Sequence, residues 1–416
     1  MTYFLGIDFG TSGARAIAID ADQKISQTIA LPLEKQNPVA WQKTLFQLLQ
    51  SLKKDVAQNL AAIAINGTSS TVLLCDTDGQ PVSEALLYND NRGRSQLEKL
   101  SKLAPPEHLV QSATLSLAKL LWFDEKVFTK TAQYFLHQAD WLGAILHGRW
   151  GLSDEHNALK LGFDVQKLCY PGWLENHPLF PMLPRVLTPG ETVAEILPAI
   201  ATQFDINPHC QICVGTTDSI AAFIASGASK VGEAVTSLGS TLVLKLLSDH
   251  PVNEKASGVY SHRFGNLWLT GGASNTGGAV LKHFFEQDDL IRLSREIDPS
   301  SSTNLEYYPL LKPGERFPIN DPQLEPCLTP RPQGDRQFLQ GLFEGMTRIE
   351  AMGYGKLQEL GAPKPTKIFT AGGGSQNPTW TAMRETQLPC PVLASPNPDA
   401  AYGSALLAQR GNLNDW

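Results

Sequence analysis

The chain has 416 residues, 42% hydrophobic and 18% charged, which is enough for two or three domains with sizeable cores. Its formal net charge of −7 argues against nucleic-acid or anionic-membrane partners, and no apolar run approaches the length of a bilayer span. The chain enters a strand at once with no basic leader, so a cytoplasmic location is expected.

The segment from Phe4 to Phe9 reads as a strand, Gly10-Thr11-Ser12-Gly13 as a tight turn, and Ala14 to Asp20 as a second strand. A helix is expected over 43–60, with Leu45, Leu48, Leu49, Leu52, Val56 and Leu60 on one face. The apolar runs Ala61 to Ile65 and Val72 to Cys75 follow as strands, and Asp76-Thr77-Asp78-Gly79 as a hairpin turn. Helices are expected near 94–104, 115–128 and 138–147, then a buried strand over Ile212 to Gly215 and an apolar helix from Ser219 to Ser226. A second strand pair spans 234–247, followed by a strand at Leu267 to Thr270 and a helix from about Gly277. A long helix near 335–360 presents Phe338, Leu342, Met346, Ile349 and Met352, and the strand Lys367 to Ala371 runs into a glycine triplet. The seven prolines within 305–332 mark an extended surface connection. Alternating strands and helices in both halves indicate an α/β protein of two similarly built domains.

The six cysteines are scattered, so reduced thiols are expected. Cys210-Gln-Ile-Cys213 has the spacing of half a zinc site but lacks a second Cys/His pair, so a strand is the expected reading.

The most informative feature is a duplication. Ser237-Leu238-Gly239-Ser240-Thr241 repeats the first strand–turn–strand, with Leu242 to Leu247 as its second strand. Glycine lets the backbone approach an anion, and turn N–H groups with Ser/Thr hydroxyls can cradle a phosphate. Two such turns point to a polyphosphate gripped from both sides. Asp8 beside the first turn would repel a phosphate unless a metal lay between them, which points to Mg²⁺. Neither a Gly-x-x-x-x-Gly-Lys-Ser/Thr loop nor a Gly-x-Gly-x-x-Gly fingerprint occurs, in keeping with binding by paired hairpins.

With both turns placed, the chain resembles the FGGY carbohydrate kinases over essentially its whole length. Seven stations occur in family order: Gly6-Ile7-Asp8-Phe9-Gly10-Thr11-Ser12; Tyr88-Asn89-Asp90-Asn91-Arg92; Gly215-Thr216-Thr217-Asp218-Ser219; Leu238-Gly239-Ser240-Thr241; Tyr308-Pro309 with Gly314-Glu315-Arg316-Phe317-Pro318; Ala371-Gly372-Gly373-Gly374-Ser375-Gln376-Asn377; and Ala400-Ala401-Tyr402-Gly403-Ser404-Ala405. The resemblance implies two actin-like (ribonuclease H-like) α/β domains of the hexokinase/actin ATPase superfamily with a cleft between them. The first is expected over 1–228, joined by a last helix at about 399–416, and binds sugar; the second, over 229–398, binds nucleotide.

It also implies the chemistry. Asp218 is the expected catalytic base, taking the proton of the attacking sugar hydroxyl, although its position equally suits a helix cap. Asp8, Ser69 and Asp218 are the expected sugar contacts, and Asp8 also the Mg²⁺ ligand. Gly10, Thr11, Ser12, Gly239, Ser240 and Thr241 would meet the phosphates of ATP, with Arg15 beside them or simply solvated. Gly372, Gly373, Gly374 and Asn377 would meet the adenosine. Asp90 and Arg92 read as a structural ion pair or a lid contact, and Trp41 as a cap on the cleft. Where xylulose kinases carry Gly-Gln-Met-His-Gly against the sugar, this chain has Asn66-Gly67-Thr68-Ser69-Ser70, and it is short for the family. The short form is similar to cyanobacterial and plant plastid proteins whose implied substrate is D-ribulose. D-xylulose or a polyol is the alternative, and a sugar-binding sensor with residual ATPase activity is a reading of another class. Sugar and ATP are the only partners expected, with monomer and dimer both open.

Overall fold

The computed structural model describes residues 1–106, 108–126 and 128–416. It falls into two compact units: Met1–Ala225 with Asp399–Trp416, and Ser226–Pro398.

The first unit is built on a six-stranded sheet. Its strands are β1 (Tyr3–Phe9), β2 (Gly13–Asp20), β3 (Ile25–Pro32), β4 (Leu60–Gly67), β9 (Thr192–Glu195) and β10 (Gln211–Thr217), in the order β3-β2-β1-β4-β10-β9. The first three form an antiparallel meander, while β1, β4 and β10 run parallel. Two small sheets lie between β4 and β9 in sequence. They pair β5 (Val72–Cys75) with β6 (Tyr134–His137), and β7 (Leu152–Asp154) with β8 (Arg185–Leu187). In β1 the alternate residues Tyr3, Leu5, Ile7 and Phe9 enter the main core.

The helix expected over 43–60 is two helices, Pro38–Gln50 and Lys54–Gln58, and Leu60 begins β4. The local signals explain the early start. Asn37 caps the first turn by accepting from Ala40 N–H at 2.9 Å, with Pro38 at the first helical position. Trp41, Leu45, Leu48 and Leu49 form the buried face. Trp41 is fully buried there, so it caps no cleft.

The last helix, Ala400–Arg410, lies against β1 and β4 of this same unit. Gly6 and Gly403 make the packing possible. A Cβ on Gly6 would lie 2.0 Å from the Ala401 carbonyl oxygen, and one on Gly403 would lie 1.8 Å from that of Ala221. Asn66 locks the seam by donating to Ser404 Oγ at 2.8 Å.

The second unit repeats the plan. Its strands are β11 (Glu233–Leu238), β12 (Leu242–Ser248), β13 (Tyr260–Phe264), β14 (Leu267–Ser274), β15 (Lys367–Ala371) and β16 (Val392–Ala394), in the order β13-β14-β12-β11-β15-β16. Three strands in the order β14-β12-β11, extended by the antiparallel edge strand β13, are again followed by two parallel ones (β15, β16). The 25-residue helix Asp335–Glu359 fills its core with Phe338, Leu342, Met346 and Ile349. Met352, expected on that face, is 44% exposed and points away from the core. Cys213 lies in β10 and Cys210 just before it, both buried with free thiols, in keeping with the strand reading.

Candidate active site

Three parallel strands of the first unit end at one edge. Asp8 is the penultimate residue of β1, Gly67 closes β4, and Asp218 follows directly on β10. The register places Asp8 across from Asn66, and Thr217 across from Gly67. The carboxyl ends of parallel strands are where open α/β sheets place ligands, because the strand-to-helix turns there leave a crevice. Asp218 is the first residue of the helix Asp218–Ala225, and its Oδ1 accepts from Ser219 N–H at 2.6 Å. This bond sets its carboxylate at the N-terminal end of that helix.

Asp8 is electrostatically unusual. Burial pushes its carboxyl up to about 7, the negative charges of Asp218 and Asp399 push the same way, and Arg15 opposes them. One carboxylate oxygen, Oδ1, is buried with no hydrogen-bond partner. An acidic pair that raises one member's affinity for protons also attracts a metal cation. Among the described residues no group of three or more His, Cys, Asp or Glu is arranged to hold a metal, so any Mg²⁺ here would draw further oxygens from a nucleotide.

The turn after β1 leaves Thr11 and Ser12 exposed, and Gly10 N–H closes it onto the Gly13 carbonyl at 3.0 Å. A pocket of about 450 Å³ opens beside it, lined by Asp8, Gly10, Ser12, Gly13 and Arg15. Arg15 is 58% exposed and paired with Asp399 at 3.0 Å. Gln36, which sequence reasoning missed, braces the turn. Its Nε2 donates to the carbonyls of Gly10 and Thr11 at 3.1 and 2.5 Å, and its Oε1 accepts from the buried Trp41 indole at 2.9 Å. No local pattern flags such a brace, since glutamine and turn meet only after folding.

Ser69 lies in the turn after β4, which Thr71 N–H closes onto the Thr68 carbonyl at 3.2 Å. Ser69 is half-buried, whereas Thr68, Ser70 and Thr71 are buried. Asp90 and Arg92 form a bidentate pair, with nitrogen–oxygen distances of 2.9 and 2.7 Å to Oδ2. Arg92 also bonds Glu84 and lies 4.8 Å over the Trp122 ring, which makes the pair structural.

In the second unit a pocket of about 520 Å³ has the size of a nucleotide or drug-like ligand site. Leu238, Gly239, Ser240, Gly373, Gly374 and Asn377 line it. The turn after β11 is fixed from behind by Gly278 N–H to the Gly239 carbonyl at 2.8 Å and Ala279 N–H to the Ser240 carbonyl at 3.1 Å. Thr241 follows it and leads into β12.

Gly372 has φ +82°, and a Cβ there would lie 2.8 Å from the Leu238 carbonyl. A Cβ on Gly374 would lie 2.6 Å from Leu238 Cβ, so the glycine run packs directly on the hairpin tip. Asn377 lines the pocket, but its amide is engaged. Oδ1 caps the helix Pro378–Gln387 through Trp380 N–H at 3.0 Å, and Nδ2 donates to Ser294 at 2.8 Å. The expectation of a side-chain contact to adenine therefore meets a residue already occupied in building the wall.

The N-terminal domain of the FGGY family of carbohydrate kinases matches residues 3–225, and its C-terminal domain matches residues 234–411. The chain belongs to the FGGY carbohydrate kinases. A xylulose kinase of Bacillus subtilis is 24% identical, with 99% of this chain and 89% of the relative aligned. A gluconokinase of the same organism is 20% identical over 92% of this chain and 82% of its own. A solved structure named a xyloylose kinase, from Brucella ovis, superposes with a TM-score of 0.86 at 22% identity, covering 98% of this chain and 90% of that one. The FGGY chain described here is thus a sugar kinase with the family's two-domain α/β fold, and kinases of this family use ATP. Among its described residues no helix is long and apolar enough to cross a membrane.

Proposed function

We propose that this FGGY kinase phosphorylates a ketopentose, D-ribulose first, giving D-ribulose 5-phosphate, with Asp218 as the base. The observation that carries the reading is the shared strand edge of Asp8, the 68–71 turn and Asp218 in one unit. A sugar hydroxyl is a poor nucleophile at neutral pH because its proton is held far too tightly. A carboxylate within hydrogen-bond reach accepts that proton as the oxygen attacks the γ-phosphorus. Asp218 fills this role, and Ser69 with Asp8 orients the remaining hydroxyls.

ATP lies in the second unit, with adenosine against Gly372, Gly373, Gly374 and the Asn377 wall. Its phosphates meet the Gly239-Ser240-Thr241 tip of that unit, and Gly10, Thr11 and Ser12 are the first unit's own candidate phosphate turn. The partner-free Asp8 Oδ1 and the crowding of carboxylates around it suit Mg²⁺, which would neutralise phosphate charge there. Small polar residues where Met-His would reach the sugar support D-ribulose over D-xylulose. The names of the aligned relatives favour D-xylulose as the second reading.

Release of ADP measured across D-ribulose, D-xylulose, gluconate and glycerol tests the substrate. Turnover fastest with D-ribulose is expected, and D-xylulose turned over far faster would overturn the choice. Asp218→Ala should lower kcat by about 10²- to 10⁴-fold with ATP affinity unchanged. Wild-type turnover in that variant would remove Asp218 from its role.

A further inference from the structure

We propose that Lys119 is a positioning residue for the sugar. Its buried amine pins the 68–71 turn to the 86–92 segment, and so holds Ser69 where a substrate hydroxyl meets it. The inference rests on the sugar-site reading above.

Lys119 lies on the helix Ser116–Glu125 and is wholly buried. Its Nζ donates to the Ser70 carbonyl at 2.7 Å and to the Leu87 carbonyl at 2.6 Å. A buried amine is costly unless its hydrogen bonds are made, and here it reaches two backbone carbonyls, of which that of Leu87 also accepts from Asp90 N–H at 2.9 Å. Burial pulls its ammonium down to about 7, but a neutral amine still carries two N–H donors for the same two carbonyls.

The turn it grips needs holding. Ser70 has φ +61°, at the turn position where glycine is the usual residue. Gln138 Oε1 also accepts from both Thr68 N–H and Thr68 Oγ1, at 3.1 and 3.2 Å. Gln138 N–H returns a bond to the Thr71 carbonyl at 2.9 Å. Ser69, the half-buried member, is left as the one that faces outward between two clamps.

The 86–92 segment is seated by the same helix. Val72 and Leu86 exchange both backbone hydrogen bonds, at 2.9 and 2.8 Å, and Tyr88 N–H donates to Thr71 Oγ1 at 3.0 Å. Trp122, one turn after Lys119, supports Arg92 through its ring face. Lys119 and Trp122 thus fix the two ends of one segment from a single helix face, and only Lys119 extends that grip to the sugar-side turn.

Lys119→Met keeps the side chain's length and removes both bonds. We expect about a tenfold rise in the KM for sugar, with the KM for ATP and sugar-independent ATP hydrolysis unchanged. Hydrogen exchange should quicken in both 68–71 and 86–92. Thr71→Val, which removes the Tyr88 bond, carries the same expectation should Lys119→Met not fold. A folded Lys119→Met with wild-type KM for sugar, beside a wild type that phosphorylates sugar, overturns this proposal alone. A wild type that phosphorylates none of the sugars overturns the functional reading, and this inference with it.

Discussion

Asp8 holds its charge at the expense of stability. Burial, Asp218 and Asp399 outweigh Arg15 and push its carboxyl up to about 7 in the folded chain. The unfolded chain releases that proton near pH 4. Between those values the folded state binds more protons than the unfolded one, so stability falls as pH rises from about 4 to 7. Asp154, buried and beside Asp140, is pushed up to about 7 and adds to the same trend. Asp8→Asn should therefore raise the midpoint of thermal unfolding at pH 8 by a few degrees and leave that at pH 5 nearly unchanged, while abolishing turnover. Equal shifts at both pH values in a calorimetric scan would contradict the assignment. The same crowding of carboxylates would favour a bound cation, which is the role proposed for Asp8 above.

At the scale of elements, hairpin tips depend on what stands behind them. The tip after β11 is packed by Gly372, whose left-handed backbone and missing Cβ admit the Leu238 carbonyl. Gly372→Ala should raise the KM for ATP several-fold and cost about 1–2 kcal/mol of stability, leaving the KM for sugar alone. An unchanged KM for ATP would show that the tip tolerates the displacement.

Deeper in the same unit, Arg384 and Glu350 form a fully buried pair with two bonds of 2.7 Å. Arg384 also donates to Thr370 on β15 at 2.7 Å, and Thr236 on β11 donates to Glu350 at 2.5 Å. The pair therefore ties the two strands that end at the tip and the glycine run. Arg384→Met strands a buried carboxylate and should cost about 3–5 kcal/mol in denaturant unfolding. Loss below about 1 kcal/mol would show the pair to be dispensable.

At the scale of the molecule, each unit has its own core and its own copy of one strand plan. The first unit is completed only by residues that follow the whole of the second, since the helix Ala400–Arg410 closes over β1 and β4. Gly403→Ala, which places a Cβ on the Ala221 carbonyl, should cost about 1–3 kcal/mol or more. Unchanged thermal stability would show that this helix can shift away.

The two hairpin tips, the α/β alternation and the family stations were legible in the sequence because turns and strand ends are written in adjacent residues. The helix over 43–60 was misread because Leu52, Val56 and Leu60 continue a helical spacing that capping by Asn37 and strand pairing of Leu60 override. The bracing of the turn after β1 by Gln36, the engagement of Asn377 and the grip of Lys119 left no trace in local pattern. Each joins groups that only the folded backbone brings within hydrogen-bond reach. The sequence by itself determined which residues could cradle phosphate and which carboxylates stood at strand ends. Tertiary structure alone decided which of them are buried, crowded or held, because desolvation and long-range hydrogen bonds exist only after the strands have found their neighbours.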